Sequence, residues 1–495
     1  MEEHAGSVLD LAVGPHYLAS GGSDRLVKVW ELPSPETVED RPLAAQDRMI
    51  AALDKFVAIP SVSGNPNYTE ACRRASKYLR SLFKQLGAET RLIVSEVEGR
   101  NPLVAAKFRS SQNEAPVKHV LFYGHYDVQP ASESQWSVPP FQLTGKDGFL
   151  YGRGATDDKG PILATLFAVS ELIDEKRLAC DVSFLIEGEE ESGSKGFSEA
   201  VLAHKDFFGS VDVIMLSNSY WINDEQPCLT FGLRGVLHAT IDISSPKQED
   251  LHSGVDGGAY DEPLNDMVKV LSELASVDKR ILIPGFSDTV RAVTEEERNH
   301  YRQLSASIRR YKGKPVREPE ALMQELMARW RFPSLTLHKI DVSGPASNTV
   351  IPRTARAIVS MRLVPDQELL DICQKFEQHV CAVFGRLRSK NGLTITVGHR
   401  AEWWLADLEH SEPYRIAAAA IEQVWGVKPL LVREGGSIPA IPFLEKTFQA
   451  QAIHVPMGQA SDNAHLPNER IRVENLNRGR EVMKVFFSTL SNTKG

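Results

Sequence analysis

Cysteine is scarce in this sequence of 495 residues, and no two cysteines have the CxxC spacing of a zinc or redox motif. The five cysteines are scattered along the chain, at positions Cys72, Cys180, Cys228, Cys373 and Cys381. An odd number at wide spacing excludes a disulfide framework and a cysteine metal site. We therefore interpret them as reduced thiols and expect a cytoplasmic protein.

Long apolar runs and blocks of basic residues are also missing. The longest mostly apolar stretch, PILATLFAVSELI, is shorter than the roughly 20 residues that a membrane-spanning helix needs. A formal net charge of −9 without a Lys/Arg block leaves no electrostatic surface for DNA or RNA. The start, MEEHAGSVLDL, lacks the basic and apolar regions of a secretory signal. We expect neither a membrane nor a nucleic-acid partner.

The first 32 residues alternate apolar and polar positions around Gly-rich turns, which predicts short antiparallel strands. The segment resembles one WD repeat, with His4, Asp24 and Trp30 at the positions that tie such a blade together. No second copy follows, and one blade cannot close a propeller because each blade buries its faces on its neighbours. We interpret residues 1–32 as a remnant or a truncated start, and residues 33–43 as a linker.

From about Ala44, helical periodicity alternates with short apolar runs such as HVLFYG, DVSFLIE and DVIMLS. This order is typical of an α/β fold with helices on both faces of a sheet. A second region, with its own alternating pattern, begins near Gly235. We predict a catalytic domain formed by residues 44–234 and 399–495, interrupted by an inserted α+β domain at residues 235–398.

Polar clusters follow the early apolar runs. His125 and Asp127 come after one run, Asp157 lies in a later GRGATDDKGP motif, and Glu190 and Glu191 come after a third. Because strands of an open α/β sheet end at a common crevice, these clusters can converge there. Imidazole and carboxylate ligands without sulfur suit zinc, manganese or cobalt.

The motifs GHYDVQP, GRGATDDKGP, EGEEESGS, GLRG, DLHSG, NTVIPR and AHLPNE occur in this order between about residues 45 and 490. In this order they resemble the metallopeptidase family of carnosinase, cytosolic nonspecific dipeptidase and carboxypeptidase G. The resemblance implies a zinc-peptidase catalytic domain with a mixed sheet and an inserted lid and dimerisation domain. It also implies a homodimer with two divalent metal ions per site, zinc in the first place and manganese or cobalt as alternatives.

The same resemblance implies five metal ligands. His125 and Asn218 would hold one ion, Glu191 and His465 would hold the other, and Asp157 would lie between them. A shared carboxylate keeps two cations close together, so that a water between them loses its proton near neutral pH.

Proton transfer is assigned in the same way. Glu190 resembles the general base that takes the proton of the water and returns it to the leaving amine. Asp127 matches the carboxylate that orients the imidazole of His125. Asp158 is interpreted as a structural residue that caps the helix starting near Pro161.

The inserted domain and a late loop supply the predicted substrate contacts. His252 resembles the family histidine that reaches the partner subunit's site and polarises the scissile carbonyl; its alternative role is a histidine of a surface turn. Arg362 would clamp a substrate carboxylate. Thr349 and Ser437 are polar contacts or local turn residues. Two further histidines fit no motif and are interpreted as structural: His399 and His410.

Asn218 departs from the family pattern, in which the motif at SNSYW carries aspartate at this position. Asparagine keeps a carbonyl oxygen but loses the negative charge, so metal affinity on that side should fall. Asp212 cannot substitute, since six residues of strand place it about 20 Å away. Asp224 could fold back from the following loop.

Two functions stay open at this point: a dinuclear metallopeptidase for di- and tripeptides, and a scaffold or assembly subunit with an impaired metal site. The other retained site residues favour the enzyme, because drift in an inactive site removes several ligands. The WD-like start followed by a peptidase is similar to the peptidase subunits of fungal glutathione-degrading complexes. That similarity implies glutathione breakdown with a glutaminase-like amidotransferase partner.

Overall fold

The computed structural model describes residues 8–13, 17–22, 27–31, 45–112, 117–311 and 314–490. The chain separates into two compact units, residues 1–50 and residues 51–495.

The first unit contains a small antiparallel sheet. Its three strands pair in chain order and are β1 (Val8–Val13), β2 (Tyr17–Gly22) and β3 (Val27–Glu31). The predicted short antiparallel strands are thus present. The WD-like positions His4 and Asp24 lie outside the described residues, as does the side chain of Trp30.

Helices make up much of the described chain. The α-helices are α1 (Ala45–Val57), α2 (Thr69–Gln85), α3 (Lys159–Asp174), α4 (Phe197–Ala203), α5 (Lys205–Phe208), α6 (Ser253–Asp256), α7 (Pro263–Ser272), α8 (Glu295–Ser307), α9 (Pro319–Trp330), α10 (Leu369–Leu387), α11 (Glu412–Trp425), α12 (Ala440–Phe448) and α13 (Val473–Thr489). Short 3-10 helices occupy Pro66–Tyr68, Glu133–Gln135 and Glu190–Ser192.

The remaining strands belong to the second unit. They are β4 (Glu89–Ile93), β5 (Leu103–Phe108), β6 (His119–His125), β7 (Thr144–Lys146), β8 (Phe149–Tyr151), β9 (Asp181–Glu187), β10 (Val213–Leu216), β11 (Cys228–Leu233), β12 (Gly235–Ser244), β13 (Leu251–His252), β14 (Arg310–Tyr311), β15 (Lys314–Pro315), β16 (Ser334–Val342), β17 (Val350–Ile351), β18 (Thr354–Leu363), β19 (Gly392–Ala401), β20 (Trp404–Leu405), β21 (Leu430–Glu434), β22 (Gln451–His454) and β23 (Arg470–Arg472).

A nine-stranded mixed sheet forms the centre of the second unit. Its order is β20-β11-β22-β10-β6-β9-β5-β4, with β21 paired to β11. The middle strands β22, β10, β6 and β9 are parallel to one another. Beyond them, β5 pairs antiparallel with β9, and β4 pairs antiparallel with β5. Every residue of β6 is buried. This explains why its sequence is a continuous apolar run, since strands covered on both faces do not alternate.

Helix α3 contains the longest apolar run and is buried along almost its whole length. It packs against α13 and contacts β6. A helix that is apolar on all sides belongs inside a protein core or a membrane, and here its neighbours cover it. In the described part of the chain, no helix combines the length and hydropathy needed to cross a bilayer.

A separate four-stranded antiparallel sheet has the order β16-β18-β12-β19. Residues of β12 and β18 alternate between buried and partly exposed positions. The buried face packs on α7 and α10. The opposite face is more polar and carries Arg362 and His238 among its side chains. The whole second unit is thus the mixed α/β structure that the sequence predicts.

Candidate active site

Four parallel strands end side by side at one edge of the large sheet. β6 ends at His125 and β9 at Glu187, and these two residues are register partners. β10 ends at Leu216, whose partner on β22 is His454. The loops that follow therefore start together, at the edge where open α/β sheets bind ligands.

Asp157 lies between two imidazoles. Its Oδ1 is 3.0 Å from Nε2 of His125, and its Oδ2 is 3.0 Å from Nε2 of His465. Nε2 of His465 is also 3.2 Å from Oε2 of Glu191. Four of the predicted ligands thus form one group, which we call the dihistidine cluster. One carboxylate oxygen on each side is the arrangement that a bridging ligand requires.

The dihistidine cluster strongly stabilises positive charge. Burial works to raise the pKa of Asp157, but hydrogen bonds with His125 and His465 outweigh it and hold that pKa well below its ordinary value. Hydrogen bonds with Asp157 and Glu191 raise the pKa of His465 to about 10. The carboxylates that stabilise the protonated imidazole create a negative electrostatic potential, and the same potential would stabilise a divalent cation.

The donor set of the cluster fits a metal ion. Ligand atoms of Asp157, Glu191 and His465 lie within 4.8 Å of one another. Asn218 follows β10 and is only 8% exposed, and its Oδ1 is buried without a hydrogen-bond partner among the described residues. A buried carbonyl oxygen is costly unless a ligand satisfies it. The residues present therefore suit divalent ions with nitrogen and oxygen ligands.

The backbone around Asn218 is held from two sides. Nε2 of His454 donates to the carbonyl oxygen of Asn218, and burial lowers the pKa of His454 to about 4, so the ring is a neutral donor. The next residue, Ser219, has a φ of 87° and donates its hydroxyl to Glu434. Asn218 is thus fixed at the end of β10, although no hydrogen bond joins its side chain to the dihistidine cluster in the described residues.

Asp127 anchors the loop that carries Glu190 and Glu191. Its buried carboxylate accepts the backbone N–H of Glu190 at 3.3 Å and that of Glu191 at 3.0 Å. Nδ1 of His125 lies 3.1 Å from the Asp127 carbonyl oxygen but 3.6 Å from the carboxylate. The imidazole thus contacts the Asp127 backbone at hydrogen-bond distance, and the Asp127 carboxylate, slightly farther away, contributes to raising the pKa of His125 against the effect of burial.

Glu190 stands beside the cluster at the start of the 3-10 helix Glu190–Ser192. Burial raises the pKa of its carboxyl to about 7, with further contributions from Glu191 and Asp157 and an opposing one from His125. A carboxylate whose pKa lies near the working pH can both accept and return a proton.

Glu469, which motif analysis did not single out, organises the loop that leads to Asp157. Its buried carboxylate pairs with Nη1 of Arg153 at 2.7 Å. The same carboxylate accepts three backbone N–H groups at 3.0 to 3.1 Å, from Gly154, Thr156 and Asp157. In the sequence, the AHLPNE motif, which ends with Glu469, was the feature that could have indicated this role.

Two further side chains orient carboxylates of the cluster. The hydroxyl of Tyr220 donates to Oδ2 of Asp157 at 3.3 Å. Nε2 of Gln129 donates to Oε2 of Glu191 at 2.8 Å. Neither residue stood out from its sequence context, because only the folded loops bring it to the cluster.

Two acids differ from their predicted roles. Asp158 occupies the N-cap position of α3, but its side chain makes no capping hydrogen bond, and its Oδ2 accepts the backbone N–H of His125 at 3.3 Å. Asp224 makes no hydrogen bond with Asn218 in the described residues. Its Oδ1 accepts the backbone N–H of Ser461 at 2.9 Å.

The four predicted substrate contacts form two pairs. His252 is exposed and pairs in register with Val350, the neighbour of Thr349. Nη1 of Arg362 donates to Oγ of Ser437 at 3.0 Å. Within the described residues, no hydrogen bond joins either pair to the dihistidine cluster.

Several known proteins are similar to this chain in sequence and in fold. Residues 121–489 match the model of peptidase family M20/M25/M40. The chain is 37% identical over 439 residues to a protein of Saccharomyces cerevisiae described as a probable di- and tripeptidase, covering 87% of this chain and 49% of that protein. It is 36% identical over 451 residues to the Cys-Gly metallodipeptidase of Schizosaccharomyces pombe, covering 88% and 94%. The chain thus spans about half the length of the Saccharomyces relative.

The crystal structure of human carnosine dipeptidase 1 superimposes with a TM-score of 0.74 at 32% identity, covering 89% of this chain and 95% of that one. The chain belongs to peptidase family M20/M25/M40. Both the predicted fold class and the predicted enzyme class, a peptidase, are thereby confirmed.

Proposed function

We propose that this chain hydrolyses amide bonds in di- and tripeptides with the help of two divalent metal ions. The observation that carries the proposal is the Asp157 carboxylate, which lies 3.0 Å from the imidazole of His125 and 3.0 Å from that of His465. Glu190 stands next to this arrangement with a pKa raised by burial to about 7.

His125 and Asn218 would hold one ion, Glu191 and His465 would hold the other, and Asp157 would be shared. Zinc suits this donor set best, and manganese or cobalt are alternatives. When bound, such ions lower the pKa of a water and polarise the peptide carbonyl.

Glu190 takes the proton from the attacking water and returns it to the leaving amine. Asp127 keeps Glu190 in place by accepting its backbone N–H at 3.3 Å. Arg362 binds the substrate carboxylate, and Ser437, 3.0 Å away, keeps the guanidinium oriented. His252, with Thr349 beside it, donates to the carbonyl oxygen of a substrate held in the partner subunit.

A homodimer formed through the inserted domain, residues 235–398, brings His252 to the second site. Strand β16 supports this proposal because it is an edge of its sheet and exposes three apolar side chains, Leu337, Ile340 and Val342. An apolar edge strand is a surface suited to pairing with another chain. The catalytic domain then consists of residues 44–234 and 399–495.

The physiological substrate that we propose is a small peptide such as glutathione. One relative is named a Cys-Gly metallodipeptidase, and Cys-Gly is the carboxyl-terminal part of glutathione. A glutaminase-like amidotransferase partner would hydrolyse the γ-glutamyl bond. The basis for this partner is the WD-like segment at residues 1–32 followed by a peptidase, which resembles the peptidase subunits of fungal glutathione-degrading complexes. The five cysteines are free, which supports a cytoplasmic location.

A second candidate function is an assembly subunit with an impaired metal site. Asn218 favours it, because an amide in place of a carboxylate leaves two cations less fully neutralised. The intact dihistidine cluster and Glu190 favour the enzyme.

Metal analysis of the purified chain together with peptide assays tests both candidates. Cys-Gly, other dipeptides and glutathione would be assayed with and without the amidotransferase partner. Metal-dependent turnover of any of these supports the enzyme. Metal-free protein that hydrolyses none of them, with or without the partner, would leave only the assembly role. Glutathione turnover that is unchanged without the partner would instead indicate an independent peptidase.

A further inference from the structure

A cavity of about 480 Å³ lies between α8 and three strands at one end of the large sheet, β11, β20 and β21. Arg433 of β21 lines it, and we call it the Arg433 cavity. The next residue, Glu434, accepts the hydroxyl of Ser219, which follows Asn218. Because neighbouring side chains of a strand point to opposite faces, the cavity and the candidate active site lie on opposite sides of β21. Its volume is typical of a small-molecule pocket.

A β-bulge shapes the apolar wall of the cavity. In the pairing of β11 with β21, Thr230 faces Val432 and Gly232 faces Arg433. Phe231 is therefore the extra residue, and its side chain lines the cavity. Bulges re-aim side chains and are common beside functional sites. The other large apolar residues of this wall are Pro365, Leu405, Leu408 and Leu431.

Gly232 leaves the space that the Arg433 side chain occupies. A Cβ on Gly232 would lie 3.1 Å from Nε of Arg433 and 3.1 Å from Cδ1 of Leu405, which is tighter than ordinary van der Waals contact. A larger residue at this position would displace one of these two groups. The glycine thus allows a guanidinium and an apolar side chain to meet at the cavity wall.

The buried end of the cavity contains two guanidiniums but one carboxylate. Arg331 and Arg433 are each only 5% exposed. Oε1 of Glu297 accepts from Nε of Arg331 at 2.6 Å and from Nη1 of Arg433 at 3.4 Å. Glu297 therefore balances Arg331, and Arg433 keeps only the longer contact. A buried charge without a close partner is costly, and a bound anion would reduce that cost.

Arg433 also lacks hydrogen-bond acceptors. Its Nε is buried, as is the nearby hydroxyl of Tyr301, and neither atom has a hydrogen bond of normal geometry in the described residues. Burial raises the pKa of Tyr301 to about 12, and the charge of Arg433 opposes this rise, which shows how close the two groups are. A carboxylate supplies the acceptor oxygens that a guanidinium prefers.

Negative charge is available next to this positive end. Glu297 uses Oε1 for both arginines, and its Oε2 accepts no hydrogen bond among the described residues. Glu296 lines the cavity from an exposed position and has no ion pair in the same part of the chain. Arg291 does not compete for these acids, because it is paired with Asp366 at 2.8 Å. A ligand with adjacent carboxylate and ammonium groups would match both charges.

Two rings of the cavity favour an aromatic ligand. The rings of Phe231 and His300 meet edge to face, with centroids 6.0 Å apart. Nε2 of His300 lies 3.1 Å from the carbonyl oxygen of Leu431, which fixes the imidazole against β21. Aromatic side chains prefer such edge-to-face or offset contacts. A third ring would therefore find suitable partners already in position.

We propose that the Arg433 cavity is a binding site for a free α-amino acid with a large apolar side chain, an aromatic one above all. Arg433 binds the carboxylate, and Glu297 and Glu296 attract the ammonium group. Phe231 and the apolar wall hold the side chain. This is a second site, and it does not depend on the peptide hydrolysis proposed above.

Titration calorimetry of the full chain with phenylalanine tests the site. Three analogues each lack one part of the ligand: phenylalaninamide the carboxylate, 3-phenylpropanoate the ammonium group and alanine the large side chain. We expect phenylalanine to bind at least about tenfold more tightly than each analogue, because a charge-assisted hydrogen bond or the apolar contact is lost. Equal binding of all four compounds, or no binding of phenylalanine, would overturn the proposal.

Two variants locate the binding. Arg433→Met removes the charge, and Leu408→Trp fills the cavity from a half-buried position. Each should weaken phenylalanine binding at least about tenfold. The matched controls, Arg356→Met and Leu202→Trp, change exposed residues that do not line the cavity and should keep the wild-type affinity. Circular dichroism checks folding, and if Arg433→Met is unfolded, Leu408→Trp decides the outcome.

Binding at the dihistidine cluster must be distinguished, because a free amino acid is also a product of peptide hydrolysis. Phenylalanine bound in the Arg433 cavity should keep its affinity after treatment with a metal chelator and in His465→Ala. Affinity that disappears in both cases, or that survives in folded Leu408→Trp, would overturn the proposal. None of these measurements requires turnover, so a failure of the proposed peptidase activity would not change their result.

Discussion

Glu469 and Asp157 are 312 residues apart in the chain, yet an oxygen of Glu469 accepts the backbone N–H of Asp157 at 3.1 Å. The same carboxylate forms an ion pair with Arg153 at 2.7 Å, and both side chains are buried. Removing one member of such a pair leaves a buried charge without a partner. The carboxyl-terminal part of the chain thus fixes the position of the proposed bridging ligand.

Glu469→Gln should lower the free energy of unfolding by roughly 3–5 kcal/mol and weaken metal binding, because Arg153 loses its partner and the Asp157 loop its anchor. Thermal unfolding and metal analysis would measure both effects. Glu474→Gln is the matched control, since Glu474 pairs with Arg472 and Arg478 at the surface. Equal melting temperatures for the two variants would contradict the anchoring role.

Glu190→Gln should lower kcat by at least about 100-fold, because the variant removes the proton acceptor. Metal content should stay near normal, since every proposed ligand is kept. His465→Ala should instead lower metal content. If Glu190→Gln retained more than about a tenth of the activity, its proton-transfer role would be untenable.

Asn218→Asp should bind the second metal ion about tenfold more tightly, which corresponds to about 1.4 kcal/mol. The added negative charge would lie at the position of Oδ1 of Asn218, which is buried without a hydrogen-bond partner in the described residues. Asn223→Asp is the control, because its Oδ1 accepts the backbone N–H groups of Glu225 and Gln226, which a carboxylate can also do. Two tightly bound ions per unmodified chain would show that Asn218 does not weaken the site.

Mixing His252→Ala chains with His125→Ala chains should restore part of the activity. Each mixed dimer would contain one site with His125 from one chain and His252 from the other, giving up to about half the wild-type rate per dimer. Each variant alone should be inactive. A purified mixed dimer without activity would exclude sharing of His252 between subunits.

Stability should fall as the pH drops below 6.5, in part because of His119. Burial lowers the pKa of this imidazole, whose nitrogens lie 2.6 Å from the Ser210 carbonyl oxygen and 2.8 Å from the Ser183 hydroxyl. The unfolded chain therefore takes up a proton at a higher pH than the folded chain, and protonation favours unfolding.

Melting temperatures at pH 7.5, 6.5 and 5.5 would measure this effect. His119→Gln should show a smaller decrease than wild type, because glutamine does not titrate. The half-buried His379 on α10 provides the control, and His379→Gln should follow the wild-type curve. Parallel curves for His119→Gln and wild type would assign the acid sensitivity to other groups.

The sequence carried enough information for the class of fold and for the dihistidine cluster. Apolar runs such as HVLFYGH mark strands that are buried on both faces, and the residues that end them must meet at one sheet edge. The loops with His125 and Glu191 could therefore be placed together from the pattern, whereas the family resemblance was needed to put Asp157 and His465 with them. Asn218 could be recognised from the sequence as unusual. Only the packing around it in the structure shows that its Oδ1 is buried without a hydrogen-bond partner among the described residues.

Contacts that depend on tertiary geometry were not predictable in this way. Glu469 binds backbone groups of a loop that lies 312 residues earlier, and no local pattern reports such a contact. Asp127 was expected beside His125, but no pattern in the sequence indicated that its carboxylate also accepts the backbone N–H groups of Glu190 and Glu191. The contacts of the His238 ring with His338 and His399 depend on two β-bulges, each of which shifts the alternation of a strand by one residue.

The contact between Glu469 and Asp157 also sets an order of events during protein synthesis. At 5–20 residues per second, the ribosome needs roughly 15–60 s to add the 312 residues that separate them. Throughout that time the nascent chain exposes the Asp157 loop without its anchor and without His465. We therefore expect metal ions to bind only after synthesis of the chain is complete. A premature stop codon after β22 should abolish metal binding, although four of the five proposed ligands have already been translated.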